Sequence, residues 1–465
     1  MSKALASPAK RFFVEMLTRD IELADAILDL LDNCVDGAIR VGPKDAALPY
    51  KGFHAHIELT PSAFKIDDNC GGIPRNIAEN YAFRFGRTER DRDANLATVG
   101  VYGIGMKRAI FKLGTNCVLE SKHAADQFTV TIDKAWMEND GPDGWELELS
   151  DEAPSLEKSG TRISIDQLHP SVQIEFDQTK NTFIKDFRDI VQRHYSYIIE
   201  KGFEIKINGR EVIASTIQTL FDSVSLQNNG SGIQPYIYEA ESDGVSVRLM
   251  MGLYEKLPTD QEQEESEKGL RNRETAGWTV ICNDRVVIAA DKSRVTGWGE
   301  AGVPAYHSQF TALAGVVIFR SNDALKLPVT TTKRGVDQNS ELFGQIKEVM
   351  REALKHFTSF TNKWKGQTPE RDAIQSKAAS IDIRTASASV PTDKWKDVRK
   401  GIGGRRFVPS LPEPPTESRA RRIQFTRPIE DIAALGDYLL GDSKAKAADV
   451  GVASFEWALK KAKAI

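Results

Sequence analysis

In the run AILDLLDNCVDGAIR, Asp29, Asn33 and Asp36 stand at i, i+4 and i+7. At 3.6 residues per turn this spacing puts all three on one helix face, with Ile27, Leu28, Leu30, Leu31 and Val35 supplying apolar surface. A polar stripe set into an apolar helix is costly unless it meets a ligand or solvent, and taken alone it equally fits a solvated face. A second group, KIDDNCGGIP, ends a strand with Asp67 and Asp68 and turns through Gly71 and Gly72. Glycine there can take positive φ and bring the backbone close to a ligand. A carboxylate at that point can accept a hydrogen bond from an adenine amino group, although the same residues also suit an ordinary β-turn. In TVGVYGIGMKRAIF, Gly100, Gly103 and Gly105 precede Lys107 at a helix start. Exposed backbone N–H groups, the helix dipole and an ammonium then converge on phosphates. The run is neither GxxxxGKS nor GxGxxG, so neither a P-loop nor a Rossmann cofactor site is supported. Gly160-Thr161 opens a strand after a polar loop and alone says little.

Two other groups read more plainly. His54 and His56 alternate on one strand face and would make half of a metal site, but the sequence offers no evident third ligand, so they read as ordinary strand positions. Trp278, Trp298 and Phe310 read as core.

The elements that must position these residues fall into an α/β pattern. In the first region, residues 10–175, a helix over about 20–40 precedes strands at His54–Leu59 and Phe64–Asp67. A helix near Arg75, a polar stretch from Arg84 to Thr98 and a helix from about Gly105 to Leu113 follow. Four strand-like runs, NCVLES, QFTVTI, WELELS and TRISI, complete the region. The second region, residues 180–365, opens with a helix at Phe183–Ile199 and a hairpin in FEIKINGREV, where Asn208-Gly209 marks the turn. Strands at GVSVRLMMGLY, WTVICNDRVVIAA and AGVVIFR and a helix near Leu342–Phe357 close it, around an acidic run, DQEQEESEK. Residues 366–428 read as a basic, proline-bearing linker and residues 429–465 as a short helical tail. Between Lys394 and Arg427 ten basic residues face three acidic ones, a local excess suited to nucleic acid or an acidic partner, or to a solvated linker.

Composition sets the frame. Sixty-two Lys and Arg against 66 Asp and Glu, with a 40% hydrophobic fraction, describe a folded chain of several domains rather than a disordered one. No run approaches the roughly 18 consecutive apolar residues of a membrane span. The N-terminus lacks an apolar leader, so a cytoplasmic protein is expected. Cys34, Cys70, Cys117 and Cys282 form no CxxC pair and read as reduced thiols.

Together the four chemical groups, in this order and at these intervals, resemble the N, G1, G2 and G3 boxes of the GHKL ATPases: DNA gyrase, the heat-shock chaperone of that group, histidine kinases and MutL. FGRT followed by VGVYGIGMKRA looks most like the MORC and MutL branch. The resemblance implies a Bergerat-type α/β sandwich that binds ATP, followed by an α+β transducer domain of the ribosomal S5 domain 2 kind and a short helical tail. It implies that Asn33 coordinates Mg²⁺ bridging the ATP phosphates, with Asp36 behind it. Asp68 would bind the adenine amino group with Thr161 in support, and Gly72 and Ile73 would line the adenine slot. Gly100, Gly103, Gly105 and Lys107, with Tyr102, Ile104 and Met106 interleaved, would hold the phosphates beneath a lid formed by about Arg84 to Tyr102. Lys333 or Arg334, in LPVTTTKRGVD, would reach the γ-phosphate and stabilise charge during phosphoryl transfer; two solvated bases on a surface turn would look the same in sequence.

The family's general base lies four residues before the magnesium asparagine. Here that residue is Asp29, shorter than the usual Glu by one methylene, which implies slow turnover. Cys70 stands where the first glycine of the G1 box is usual. The implied function is an ATP-gated clamp or switch that dimerises on nucleotide and acts on DNA or on a protein through the 394–427 segment and the terminal helices. The alternative is a nucleotide-sensing subunit of a larger complex with little turnover. A histidine kinase fits less well, because no histidine precedes His54 to carry the phosphoryl group.

Overall fold

The computed structural model describes residues 10–43, 46–84, 96–99, 103–139, 141, 144–152, 156–259, 262, 275–365, 368–414, 423 and 425–463. Helices α1 (Lys10–Arg19) and α2 (Leu23–Val41) lead into strands β1 (His54–Thr60) and β2 (Ala63–Asp68). Helix α3 (Arg75–Ile77) runs on into a π-helical turn at Ala78–Ala82, and α4 covers Gly105–Leu113. Next come β3 (Cys117–His123), β4 (Asp126–Ile132), α5 (Lys134–Glu138), β5 (Gly160–Ile165), α6 (Pro170–Glu175) and α7 (Phe183–Glu200). Strands β6 (Glu204–Ile207) and β7 (Arg210–Glu211) form a hairpin. Asn208 and Gly209 both take positive φ at its turn, as the Asn-Gly pair predicts.

These strands make one seven-stranded sheet in the order β4-β3-β5-β2-β1-β6-β7, antiparallel except for the β1–β6 pair. Alternation decides its faces. Ala55, Ile57 and Leu59 of β1 point into a core that they share with α2, α4 and α7, while His54, His56 and Glu58 point the other way. The stripe helix α2 sits in this core because Ala26, Ile27, Leu31, Val35 and Ala38 are wholly enclosed.

The second sheet follows β8 (Thr219–Phe221) and α8 (Ser223–Gln227) and contains β9 (Tyr236–Ser242), β10 (Val245–Leu253), β11 (Gly277–Cys282), β12 (Arg285–Asp291) and β13 (Leu313–Arg320). Helix α9 (Glu341–Lys363) covers one face; Phe343, Ile346, Met350, Leu354 and Phe357 bury against Trp278, Val280, Leu249 and Phe319. Beyond it lie α10 (Thr368–Gln375), β14 (Ala379–Ile381), α11 (Ile383–Ser389), β15 (Lys396–Asp397) and β16 (Arg405–Phe407). The sheet order is β12-β11-β13-β10-β9-β16-β15, and β14 pairs with β8 alone. A separate compact unit, residues 414–465, holds α12 (Ile429–Leu440) and α13 (Ala447–Ala462), packed as a helical pair. Among the described residues no helix is long and apolar enough to cross a membrane.

Three differences from the sequence reading have physical causes. The 204–211 hairpin, read into the second region, hydrogen-bonds to β1, so the first sheet and its core run on to Val212. WELELS alternates like a strand, yet among the described residues only Ser150 bridges, to Thr129 of β4. Much of the segment read as linker is built structure: Ile383, Ala386, Val390 and Phe407 bury against Phe221, Ile237 and Met250, and β16 adds to β9. In that segment Arg405 pairs with Glu239 at 2.6 Å and Arg406 with Glu352 at 2.5 Å, which reduces the local basic excess. The acidic run lies almost wholly outside the described residues, as does most of the 84–102 stretch.

Candidate functional site

A cavity of about 450 Å³ opens between α2, the turn after β2, the start of α4 and the loop carrying Lys333. Asp29, Asn33, Asp36, Asp68, Gly72, Ile73, Gly103, Ile104, Gly105, Met106, Lys107, Thr161 and Lys333 all line it. Gly100 and Tyr102 fall outside the described residues. Arg334 does not line the cavity; its guanidinium binds Asp25 at 2.7 Å.

Helix α2 divides its polar stripe between open and enclosed positions. Asn33 is exposed at the cavity, whereas Asp29 and Asp36 are buried. Asp36 accepts a hydrogen bond from the Val99 N–H at 2.6 Å and so holds the chain at that point. Asp29 is engaged on both carboxylate oxygens: Oδ2 meets Arg108 Nη2 at 2.6 Å and Oδ1 lies 3.5 Å from Lys333 Nζ. Burial raises the Asp29 pKa despite both cations, which favours a carboxylate able to take up a proton. Gly105 lets α4 begin directly over this residue, since a Cβ there would stand 3.0 Å from the Asp29 carboxyl carbon.

Lys333 is fixed more firmly by Asp32 than by Asp29. Its Nζ lies 2.9 Å from Asp32 Oδ2. Burial alone would lower the lysine pKa, but Asp32 and Asp29 outweigh it and hold the ammonium above its ordinary value. Its backbone is left-handed, φ 56°, in a turn closed by the Lys333 N–H to Thr330 carbonyl bond at 2.9 Å, an unfavourable geometry that surrounding contacts must hold.

At the other end, Asp68 Oδ1 accepts hydrogen bonds from the Cys70 N–H at 2.7 Å and the Thr161 N–H at 3.3 Å. Burial raises its pKa to about 6, and these backbone donors offset that only in part. Gly72 has φ 69°, and a side chain there would overlap the Lys122 carbonyl; its bareness lets the turn cross β3. The Ile73 N–H donates to Ser121 Oγ at 2.7 Å, which fixes the far side of the same turn. Lys107 donates to the carbonyls of Ala82, at 3.1 Å, and Gly103, and burial lowers its pKa to about 8. The arrangement can therefore hold a polar base edge at Asp68 and several anionic oxygens at the α4 start, with a buried carboxylate between two cations beside them.

Sequence reading missed Asp32, Arg108 and the Asn283-Asp284-Arg285 turn. Asp32 is enclosed and accepts from Tyr195 OH at 2.6 Å and Arg285 Nε at 3.0 Å, with the Arg285 guanidinium 4.2 Å over the Tyr195 ring. The two cations hold it ionised, down to about 2, against its burial. Asn283 and Asp284 both have positive φ, and Asn283 Nδ2 donates to the Thr98 carbonyl at 3.1 Å. The signal available was an acid beside Asn33 and an Asn-Asp turn; the partners are too distant in sequence to be paired by inspection.

No curated protein matches the chain. Residues 21–161 match the family model described as histidine kinase-, DNA gyrase B- and HSP90-like ATPase. The match covers α2, the Asp68 turn, α4 and Thr161, most of the cavity lining; Ile163 and the loop of Thr331 and Lys333 lie beyond it. This segment is thus similar to the GHKL-type ATPases, a similarity that supports ATP binding.

Proposed function

We propose that the chain is a Mg²⁺-dependent ATPase that works as an ATP-gated, dimerising clamp or switch on DNA or a partner protein. The observation that carries this reading is the convergence of Asn33, Asp68, the α4 start, Lys107 and Lys333 on one cavity. Its volume suits a nucleotide-sized ligand. The donor set fits magnesium as well: a neutral carboxamide, Asn33, is exposed at the cavity and offers an oxygen of the kind that ion prefers. Bound there, magnesium would neutralise charge on the phosphates.

The protein's own residues divide the remaining work. Asp68 accepts from the adenine amino group, and the α4 N-terminus and Lys107 hold phosphate oxygens. Lys333 leaves Asp29 for the terminal phosphate, and this movement frees one oxygen of Asp29 to accept a proton from the attacking water. The MORC and MutL branch and the transducer role of the second sheet belong to this proposal.

A second reading, a nucleotide sensor with little turnover, is favoured by the engagement of both Asp29 oxygens with Arg108 and Lys333. Phosphate release with Mg·ATP, with and without DNA, separates the two. The ATPase reading expects turnover that falls about 10²- to 10⁴-fold in Asp29→Asn while ATP remains bound. Bound ATP without measurable release in the wild-type chain would replace the enzyme by the sensor, and stimulation by DNA would identify the ligand class.

A further inference from the structure

We infer that the face of the first sheet turned away from its core carries a zinc-class metal site held by His54, His56 and Glu204. The sequence supplies two of these ligands and the topology the third. β1 and β6 run parallel side by side, with His54 opposite Glu204 and His56 opposite Lys206, so a residue 148 positions after His56 joins the histidine pair.

The side chains are arranged for a shared ion. The imidazole rings stack with centroids 4.3 Å apart at 17°. One ligand atom from each of the three residues lies within 4.8 Å of the other two. Tetrahedral zinc at its usual bond lengths separates its ligands by about 3.3 Å, so small side-chain rotations close the set. His56 Nε2 already lies 2.8 Å from Glu204 Oε1.

Two imidazoles and one carboxylate suit zinc, cobalt or nickel better than magnesium or calcium. The His56 and Glu204 side chains are 37% and 38% exposed, which gives an ion its entry path and leaves room for water as the fourth ligand.

Occupancy would tie β1 to β6. It would also act on the turn that carries Asp68, because the His54 N–H donates to Asn69 Oδ1 at 2.7 Å. Lys206 opposes the ion: its Nζ lies 2.8 Å from Glu204 Oε1 and competes for that oxygen. The site stands whether or not the cavity hydrolyses ATP.

The test uses the full chain, stripped with a chelator and titrated with zinc chloride against a chromophoric zinc indicator in excess Mg²⁺. One zinc per chain is expected. His54→Ala, His56→Ala and Glu204→Gln should each weaken it at least about 10-fold, whereas Lys206→Met should tighten it. All four side chains point away from the core, so circular dichroism should be unchanged and would separate loss of the site from loss of the fold. No zinc bound by the wild-type chain, or equal binding by wild type and the His56→Ala and Glu204→Gln variants, would overturn the proposal.

Discussion

Asp68 loses its proton near pH 3.8 in an unfolded chain and near about 6 in the fold, because burial penalises its charged form. The folded protein therefore holds the proton across that interval. The stability this contributes is complete below 3.8 and is lost as pH rises through about 6. Accepting from an adenine amino group requires the opposite state, so ATP affinity should rise as pH passes about 6. Calorimetric titration of a non-hydrolysable ATP analogue between about pH 5 and about pH 7.5 checks this, with Asp68→Asn flattening the profile and weakening binding at the upper end. A flat wild-type profile would remove Asp68 from the base contact. At this scale the helical spacing of Asp29, Asn33 and Asp36 and the Gly71-Gly72 turn were legible, because both are local. Asp32 was not, although it sits only about 60° round the helix from Asp29. What distinguishes it is a set of partners, Tyr195, Arg285 and Lys333, that no local pattern announces.

The β11–β12 turn joins the two sheets by its charges. Asp284 receives Lys201 and Tyr50, the latter at 3.1 Å, while Arg285 enters the first core to meet Asp32. Both members of the Asp32–Arg285 pair are enclosed, so removal of one leaves a buried charge only partly compensated by Lys333. Arg285→Met should cost about 3–5 kcal/mol in urea unfolding. Adding Asp32→Asn should not restore that loss, since the buried Lys333 ammonium then keeps only Asp29, which it shares with Arg108. A cost below about 1 kcal/mol would show that the pair is incidental to stability. The Asn208-Gly209 hairpin itself was legible from its turn chemistry, but its place beside β1 depends on a parallel pairing across nearly the whole first region. β16 was hidden for a related reason: within a proline-bearing basic segment only Phe407 of its three residues is buried.

Residues 10–413 form one compact unit in which α7 packs across β12. His194 lies in that contact, with Nδ1 2.5 Å from the Val286 carbonyl. Burial, with Arg285 adding repulsion, lowers its pKa to about 3, so it is neutral in the fold and takes up a proton near 6.5 when unfolded. The unfolded chain thus binds more protons between those values, and His194 costs the fold stability progressively as pH falls from 6.5 toward about 3. Thermal unfolding across that range should show the decline, with a shallower slope in His194→Gln. Equal slopes would place the acid sensitivity elsewhere. The same unit imposes an order on its own synthesis. The carboxylate of Asp32 depends on a lysine 301 residues later in the chain. At about 5–20 residues per second a ribosome takes about 15–60 s to cover that distance. For most of that interval α2 carries Asp32 without either of its cations, Arg285 and Lys333, whereas Arg108 is already made for Asp29. The cavity therefore reaches its final charge balance only after the Lys333 loop has left the exit tunnel, long after the strands of the first sheet have emerged.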